Sequence, residues 1–87
     1  MKVDKVIRGI TVEKCEILID REDLESNNFE NEIDNALKDL LEGGKVRIKV
    51  TDRLIELLED SIYEEKFSST LRKYKDRDYR IFIFVAQ

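Results

Sequence analysis

The stretch YRIFIFVA at residues 79–86 decides how the rest of the chain can be arranged. Residues 81–85 within it are five consecutive β-branched or aromatic residues, and none of them is charged. A strand with one wet face alternates apolar and polar residues, whereas a run that is apolar on both faces is typical of a strand covered from both sides. We therefore predict that the C-terminal strand lies at the centre of a sheet, with all five side chains shielded from bulk water.

Alternation of apolar and charged residues predicts further strands upstream. KVRIKV at residues 45–50 alternates without interruption. Residues 2–19 alternate less regularly, and they form either a hairpin of two short strands or one long bent strand, with Gly9 at the turn or bulge. The inward-facing residues of these segments are Cys15, Ile17, Ile19, Val46, Ile48 and Val50.

A helix is predicted between these strands, after a polar loop at residues 20–28. Asn27 and Glu30 provide a capping box for its start. Gly43 and Gly44 suit a helix that ends in left-handed geometry. The apolar residues between these signals follow a helical period. They are Phe29, Ile33, Leu37, Leu40 and Leu41, with Ala36 beside them.

The segment after residue 50 carries two apolar stripes that one straight helix cannot direct towards the same core. Thr51 and Asp52 supply N-caps for its start. We expect a break at Ser68 and Ser69, followed by either a short reoriented helix or a strand of a hairpin that turns at residues 75–78. The first stripe is Leu54, Leu57, Leu58 and Ile62, and the second is Tyr63, Phe67, Leu71 and Tyr74.

Together these segments predict one α+β domain over residues 1–87. Its mixed sheet has four or five strands and carries two main helices, in the order β-β-α-β-α-(α or β)-β, with the C-terminal strand central. Two helices cover one face of a sheet most simply. The other face then requires either a segment of residues 63–75 or a second copy of the protein.

The composition predicts a cytoplasmic protein with a heavily charged surface. Apolar and charged residues each make up 41% of the chain, and the net charge is −4, which disfavours generic binding to nucleic acid or to an anionic membrane. A single cysteine cannot form an internal disulfide, so we expect a reducing compartment. No run approaches the roughly 20 apolar residues of a membrane span, and charges interrupt the N-terminal apolar runs, so no signal peptide is expected.

The sequence offers little for catalysis, and we predict no enzyme and no cofactor. Cys15 lies on a predicted inward face, and the chain has no histidine that could act as its base. The acidic loop at residues 20–25 lacks the spacing and the glycine of a calcium-binding EF-hand. A glycine-rich phosphate loop and a serine elbow are also lacking. A small carrier or enzyme that depends on Cys15 is kept as the least favoured alternative.

The leading hypothesis is a non-enzymatic regulatory module that binds another protein or itself, most simply as a homodimer. The chain has more apolar faces than one layer of helices can cover, and large leftover patches usually mark association. A two-fold dimer could also match an acidic segment to a basic one. The predicted contact residues are Tyr63, Phe67, Leu71 and Tyr74, with Arg72, Lys73 and Arg77 as their electrostatic complement.

Nucleic-acid binding is the alternative. Residues 66–80 carry a net charge of +4 with interleaved tyrosines, and cations with aromatic rings can hold a phosphate backbone and stack on bases. Against this, residues 52–65 carry a net charge of −5, and pairing of the two segments is the simpler interpretation. The candidate residues are Arg47, Lys49, Arg72, Lys73, Lys75, Arg77 and Arg80.

Overall fold

Four strands and four helices make up the protein, which we describe over residues 1–86 from a computed structural model. The sheet order is β1-β2-β3-β4, with β1 antiparallel to β2 and the remaining neighbours parallel. This confirms the predicted α+β class with a mixed sheet. In chain order the elements are β1 (Lys2–Arg8), β2 (Thr11–Ile19), α1 (Arg21–Glu25), α2 (Phe29–Leu37), β3 (Leu40–Val50), α3 (Asp52–Leu57), α4 (Ser61–Lys75) and β4 (Arg80–Val85).

The first two strands form a hairpin, which settles the choice left open by the sequence. Gly9 in its turn has a φ of +63°, a left-handed conformation that a residue with a side chain adopts only at a cost. The pairing register slips between Val6 and Ile7, which marks a β-bulge near the free end of the hairpin.

All four helices lie on one face of the sheet. Successive steps from β2 to β3 to β4 move in the same direction across the sheet, and right-handed crossovers then place both connecting segments on the same side. The inward positions predicted for β2 and β3 are confirmed, since every one of them is at most 3% exposed. The helix residues that pack onto them are Leu24, Phe29, Ile33, Ala36, Leu37, Leu54, Leu57, Phe67, Leu71 and Tyr74.

The C-terminal strand lies at an edge of the sheet, so its predicted central position is wrong. β4 pairs with β3 alone among the strands of residues 1–86. The helix layer reaches Ile81, which is half-buried, but leaves Ile83 and Val85 about half exposed. The expectation that residues 81–85 are dry on both sides therefore fails for the single chain. The apolar run was correctly assigned to a strand, but its composition does not specify what covers it.

The first long helix ends six residues earlier than predicted, at Leu37 instead of Gly43. Leu40 is buried as the first residue of β3, whereas Leu41 is half exposed. Two adjacent leucines at these positions are compatible with a helical stripe and also with the start of a strand. In the structure Leu40 pairs with Val12 of β2, so this segment is a strand.

The capping box also differs from the prediction. α2 starts after Asn28 without a side-chain cap. The reciprocal capping box belongs to α1, where Asp20 and Asp23 exchange side-chain and backbone hydrogen bonds within the segment predicted as a loop.

The expected break near Ser68 and Ser69 lies instead at residues 58–60, between α3 and α4. Asp60 caps α4 by accepting a hydrogen bond from the backbone N–H of Ile62. The segment left open as helix or strand is continuous helix through Lys75. α3 turns Leu54 and Leu57 of the first stripe to the core, and α4 turns Phe67, Leu71 and Tyr74 of the second stripe to it. Ile62, the last residue of the first stripe, lies instead on α4 and is 75% exposed.

Candidate functional site

Strand β4 is exposed in a way that is unusual for an edge strand. Phe82, Ile83, Phe84 and Val85 are between 41% and 51% exposed, so neither face of the strand is fully covered. Edge strands normally avoid uncontrolled pairing through charges, proline or bulges. The run from Ile81 to Val85 has no charged residue and no proline, and its pairing with β3 is regular. These features leave a flat apolar edge.

The other edge of the sheet provides an internal contrast. β1 carries Lys2, Asp4, Lys5 and Arg8 along its length, and its register is broken by the bulge after Val6. Charges and a bulge are the standard devices that block edge-to-edge pairing. The protein therefore protects one edge of its sheet and leaves the other unprotected.

One hydrogen bond just after β4 shows which of its backbone N–H and C=O groups point towards β3 and which point outward. The N–H of Ala86 donates to the carbonyl oxygen of Val50 at 2.8 Å, so it points towards β3. Backbone groups of successive strand residues point to opposite sides, so Phe82 and Phe84 share the direction of Ala86. The N–H and C=O groups at the outer edge belong to Ile81, Ile83 and Val85.

The face of the sheet opposite the helices is here called the open face. In the pairing registers its residues stand side by side across all four strands. They are Lys2, Asp4 and Val6 from β1; Lys14, Glu16 and Leu18 from β2; Lys45, Arg47 and Lys49 from β3; and Arg80, Phe82 and Phe84 from β4.

Cations flank both aromatic rings of the open face. The Nζ of Lys45 lies 5.8 Å from the centre of the Phe82 ring, and the Cζ of Arg47 lies 4.9 Å from the centre of the Phe84 ring. These distances are within the range of cation–π attraction. The four side chains line a shallow groove between β3 and β4.

Glu16 on β2 is the acidic partner of the basic residues on β3. Its carboxylate lies 3.0 Å from the Nζ of Lys49 and 3.9 Å from a guanidinium nitrogen of Arg47. The hydrogen bond from Lys49 holds the pKa of Glu16 below its ordinary value, with the nearby charges of Lys49 and Arg47 adding to the effect. Glu16 is therefore ionised and is already partnered.

Three of the four predicted apolar contact residues belong to the protein's own core. Phe67, Leu71 and Tyr74 on α4 are at most 6% exposed, and only Tyr63 is half-buried. The hydroxyl of Tyr74 donates to the carboxylate of Asp34 on α2. Burial, together with this carboxylate, raises the pKa of Tyr74 far above its ordinary value. The aromatic stripe is thus corrected from a predicted docking surface to a packing face.

The charged residues of the predicted interaction site remain on the surface. Arg72, Lys73 and Arg77 are all exposed. Lys73 lies 3.9 Å from the carboxylate of Glu30, and the guanidinium of Arg77 lies 5.3 Å from the centre of the Tyr79 ring. They surround the C-terminal end of α4, on the helix side of the molecule.

The oppositely charged segments at residues 52–65 and 66–80 form their salt bridges with α1 and α2 within the described chain. Arg53 pairs with Asp20 and Glu22, and Lys73 pairs with Glu30. Lys66 donates to the carbonyl oxygens of Leu24 and Ser26. Within residues 1–86 the two segments therefore form salt bridges with α1 and α2, and they form none with each other.

The residues predicted for nucleic-acid contact are divided between two sides of the molecule. Arg47, Lys49 and Arg80 lie on the open face. Arg72, Lys73 and Lys75 lie on α4, in the layer that covers the opposite face. The structure does not bring the seven residues into one patch.

Cys15 is a core residue, as its alternation with Ile17 and Ile19 predicted. It is 1% exposed, and its thiol donates to the carbonyl oxygen of Ala36 at 3.6 Å. Burial raises the pKa of the Cys15 thiol above its ordinary value, which is the opposite of what a nucleophile requires.

The acidic segment predicted as a loop is helix α1 and its cap. Asp20 accepts hydrogen bonds from the Thr51 hydroxyl and the Arg21 backbone N–H, which lower its pKa below the ordinary value. Asp23 accepts from the N-terminal ammonium group of Met1 at 2.7 Å. These carboxylates therefore hold the helix start, the chain terminus and the beginning of α3 together.

The open face brings Lys45, Phe82 and Phe84 together around Arg47, and none of these three was predicted as a site residue. Lys45 was treated as an outward strand residue, and Phe82 and Phe84 were assigned to a covered strand. The alternation of residues 80–85 shows that Arg80, Phe82 and Phe84 share one face at spacing two, but it does not show which strand lies beside them.

Comparisons with models of protein families, with curated proteins and with solved structures yield no match to this chain. Within residues 1–86 no helix has the length and apolar character needed to cross a membrane.

Proposed function

We propose that the protein is a non-enzymatic regulatory module that associates with itself by pairing the outer edges of two β4 strands. The observation that carries this proposal is the exposed, uncharged run from Ile81 to Val85 at an unprotected sheet edge. An edge of this kind is a template for a further strand. Pairing would cover the side chains that one chain leaves exposed.

A two-fold antiparallel arrangement satisfies the backbone of both copies. Centred on Ile83, it sets Ile83 of one copy against Ile83 of the second and Ile81 against Val85. Since these are the residues whose N–H and C=O groups face outward, each opposed pair exchanges two hydrogen bonds. The same register sets Phe82 of one copy beside Phe84 of the second on the open face.

A second copy suits this edge because the strand is complementary to itself. Every residue between Ile81 and Val85 is apolar, so the two-fold register opposes apolar residues only. The basic residues of β3 in the two copies would be separated by three strand spacings, or about 14 Å. This exceeds the screening length of roughly 8 Å at physiological salt, so their repulsion is weak.

Two-fold pairing also gives a closed assembly. Each dimer would end at two copies of β1, whose charges and bulge oppose further strand addition. Isologous contacts of this type close after two copies and do not propagate into fibres.

The cytoplasm is the compartment we propose for this module. Cys15 is a free thiol held in the core, and the fold is built without a disulfide among residues 1–86. Chains of this kind suit a reducing environment. A role for Cys15 as a nucleophile is not part of the proposal because burial makes the thiol inaccessible.

Analytical ultracentrifugation over a concentration series tests self-pairing. The wild-type mass is expected to rise from one chain to two with increasing concentration. Ile83→Pro removes an outward N–H without removing a hydrogen bond to β3, so it is expected to stay monomeric while remaining folded. Ile83→Ala is the matched control, since it keeps the N–H and should only weaken the dimer. A wild-type chain that stays monomeric at millimolar concentration, or an unimpaired Ile83→Pro dimer, would refute the proposal.

A further inference from the structure

The open face concentrates positive charge on an acidic protein. Six of its twelve residues are lysine or arginine, and two are carboxylates, which gives a net charge of +4. The chain as a whole has a net charge of −4, so the remainder carries −8. An acidic protein can therefore carry a basic face, and such a face attracts phosphates although the net charge of the whole chain is negative.

The basic residues extend across the whole sheet. Lys2 lies on β1, Lys14 on β2, Lys45 on β3 and Arg80 on β4. Lys14, Lys45 and Arg80 stand side by side in one row, which is roughly 10 Å long at about 4.8 Å between strands. Lys2 pairs with Leu18, at the other end of the open face. Among the paired positions of β2 to β4 on this face, Glu16 is the one carboxylate, and its charge is compensated by Lys49 and Arg47. Glu13 and Glu42 line a groove at the edge of the face together with Lys14, Lys45 and Arg80.

The aromatic residues lie on β4, on the same face as Arg80. Phe82 and Phe84 are two residues apart on β4, which separates them by about 6.6 Å along the strand. Their rings are 43% and 41% exposed, with Lys45 and Arg47 beside them. Exposed aromatic rings on a sheet face, with cations beside them, form a stacking platform for unpaired bases.

We infer that the open face binds single-stranded nucleic acid, with two bases stacked on Phe82 and Phe84 and the phosphates held by Lys45, Arg47, Lys14 and Arg80. A polyanion alone would use the cations but not the exposed rings, and an apolar peptide would use the rings but not the cations. A single strand uses both. A duplex keeps its bases stacked internally, so it cannot use the phenylalanines.

This site differs from the one that the sequence suggested and is independent of self-pairing. Lys73 and Lys75, which the sequence grouped with Arg47, lie on the helix side and are not part of it. The open face is complete in one chain. In a dimer paired through β4 the two open faces would join, with the four phenylalanines at the centre.

Fluorescence anisotropy with a labelled oligothymidine of about 6 nucleotides, which is long enough to cross one open face, tests the inference. At about 50 mM salt the wild-type protein is expected to bind, with an affinity that falls as salt is raised. Arg47→Ala should weaken binding and lower the slope of log affinity against log salt by about 0.7. Phe84→Ser should weaken binding about tenfold without changing that slope.

Lys75→Ala is the matched control, because it removes the same charge from the opposite side of the molecule. It is expected to leave both the affinity and the salt slope unchanged. Ile83→Pro, which blocks self-pairing, should still bind one strand per chain. Absence of wild-type binding at about 50 mM salt would overturn the inference. So would an equal loss in Lys75→Ala and Arg47→Ala, or equal competition by a duplex or by polyglutamate.

Discussion

Replacing Ile83 by lysine tests the proposed two-fold register, because the effect depends on what faces this residue. In the single chain Ile83 is 46% exposed, so lysine can extend its ammonium group into water. In the proposed dimer Ile83 faces its own copy across the two-fold axis. The same substitution therefore places two like charges opposite each other. A lysine at any other position of β4 would face a different residue of the second copy.

The expected magnitude follows from the exposed fraction. Full burial of an isoleucine side chain contributes about 2 kcal/mol, so covering the exposed half of Ile83 contributes about 1 kcal/mol per copy and about 2 kcal/mol per dimer. Two ammonium groups about 8 Å apart near a protein surface repel by about 2 kcal/mol. The total of about 4 kcal/mol corresponds to a dissociation constant raised roughly a thousandfold.

Val85→Lys is the matched comparison. Val85 is 51% exposed and faces Ile81 of the second copy, so no lysine opposes the new charge. Loss of apolar contact alone gives about 2 kcal/mol per dimer, or a dissociation constant raised about 30-fold. Each substitution should cost the single chain only about 1 kcal/mol of folding free energy, since half of each side chain is buried there.

Sedimentation equilibrium measures the two dissociation constants, and urea unfolding at low protein concentration measures the stability of the monomer. Lysine at position 83 is expected to weaken association much more than lysine at position 85, whereas both should have similar small effects on folding. Equal effects of the two lysines on association would refute the register. No effect of either would remove the edge of β4 from the interface.

Three further predictions concern the fold. Tyr74→Phe should cost about 1 kcal/mol at neutral pH by removing the hydrogen bond to Asp34. The pKa of Tyr74 is raised in the folded state, so the wild-type protein should lose stability as pH rises above about 10, which is the ordinary tyrosine pKa. The Tyr74→Phe variant should lose less stability over the same pH range, and unfolding followed by circular dichroism measures both. Gly44→Ala should destabilise the protein by about 2 kcal/mol in urea unfolding, because its Cβ would lie 2.6 Å from the Leu41 carbonyl oxygen; an unchanged midpoint would contradict this packing. Cys15 should resist alkylation until the protein unfolds, and rapid labelling of native protein would show that the thiol is not buried.

The sequence was most informative where one face of an element is buried and the other is wet. Val46, Ile48 and Val50 were correctly directed inward, because only a strand can separate them from the charged residues between them. The inward position of Cys15 followed from the same rule. These residues define the centre of the sheet, so the α+β class could be predicted.

Element boundaries were less predictable because apolar residues fit more than one period. Leu40 and Leu41 extended the helical stripe, although Leu40 is buried through strand pairing. Ser68 and Ser69 suggested a break, but their hydroxyl groups bond within α4, to the Glu64 carboxylate and the Lys66 carbonyl oxygen. Tertiary packing of α4 and its cap outweighed the weak helix propensity of serine.

The site could not be predicted because it depends on what neighbours each strand. Composition showed that residues 81–85 have two apolar faces, but it did not show that β4 lies at an edge. The contact between Arg47 and Phe84 is diagonal across two strands. It arises from the register between β3 and β4, which pairs Arg47 with Phe82 and Lys49 with Phe84. A long-range register of this kind leaves no local signal in the sequence.

Residue-specific amide hydrogen exchange at low and high protein concentration tests the central claim most directly. At high concentration the N–H groups of Ile81, Ile83 and Val85 are expected to become as protected as those of Phe82 and Phe84, which already bond to β3. At low concentration protection should alternate along the strand. Fast exchange at Ile81, Ile83 and Val85 at every concentration would contradict self-pairing through the edge of β4.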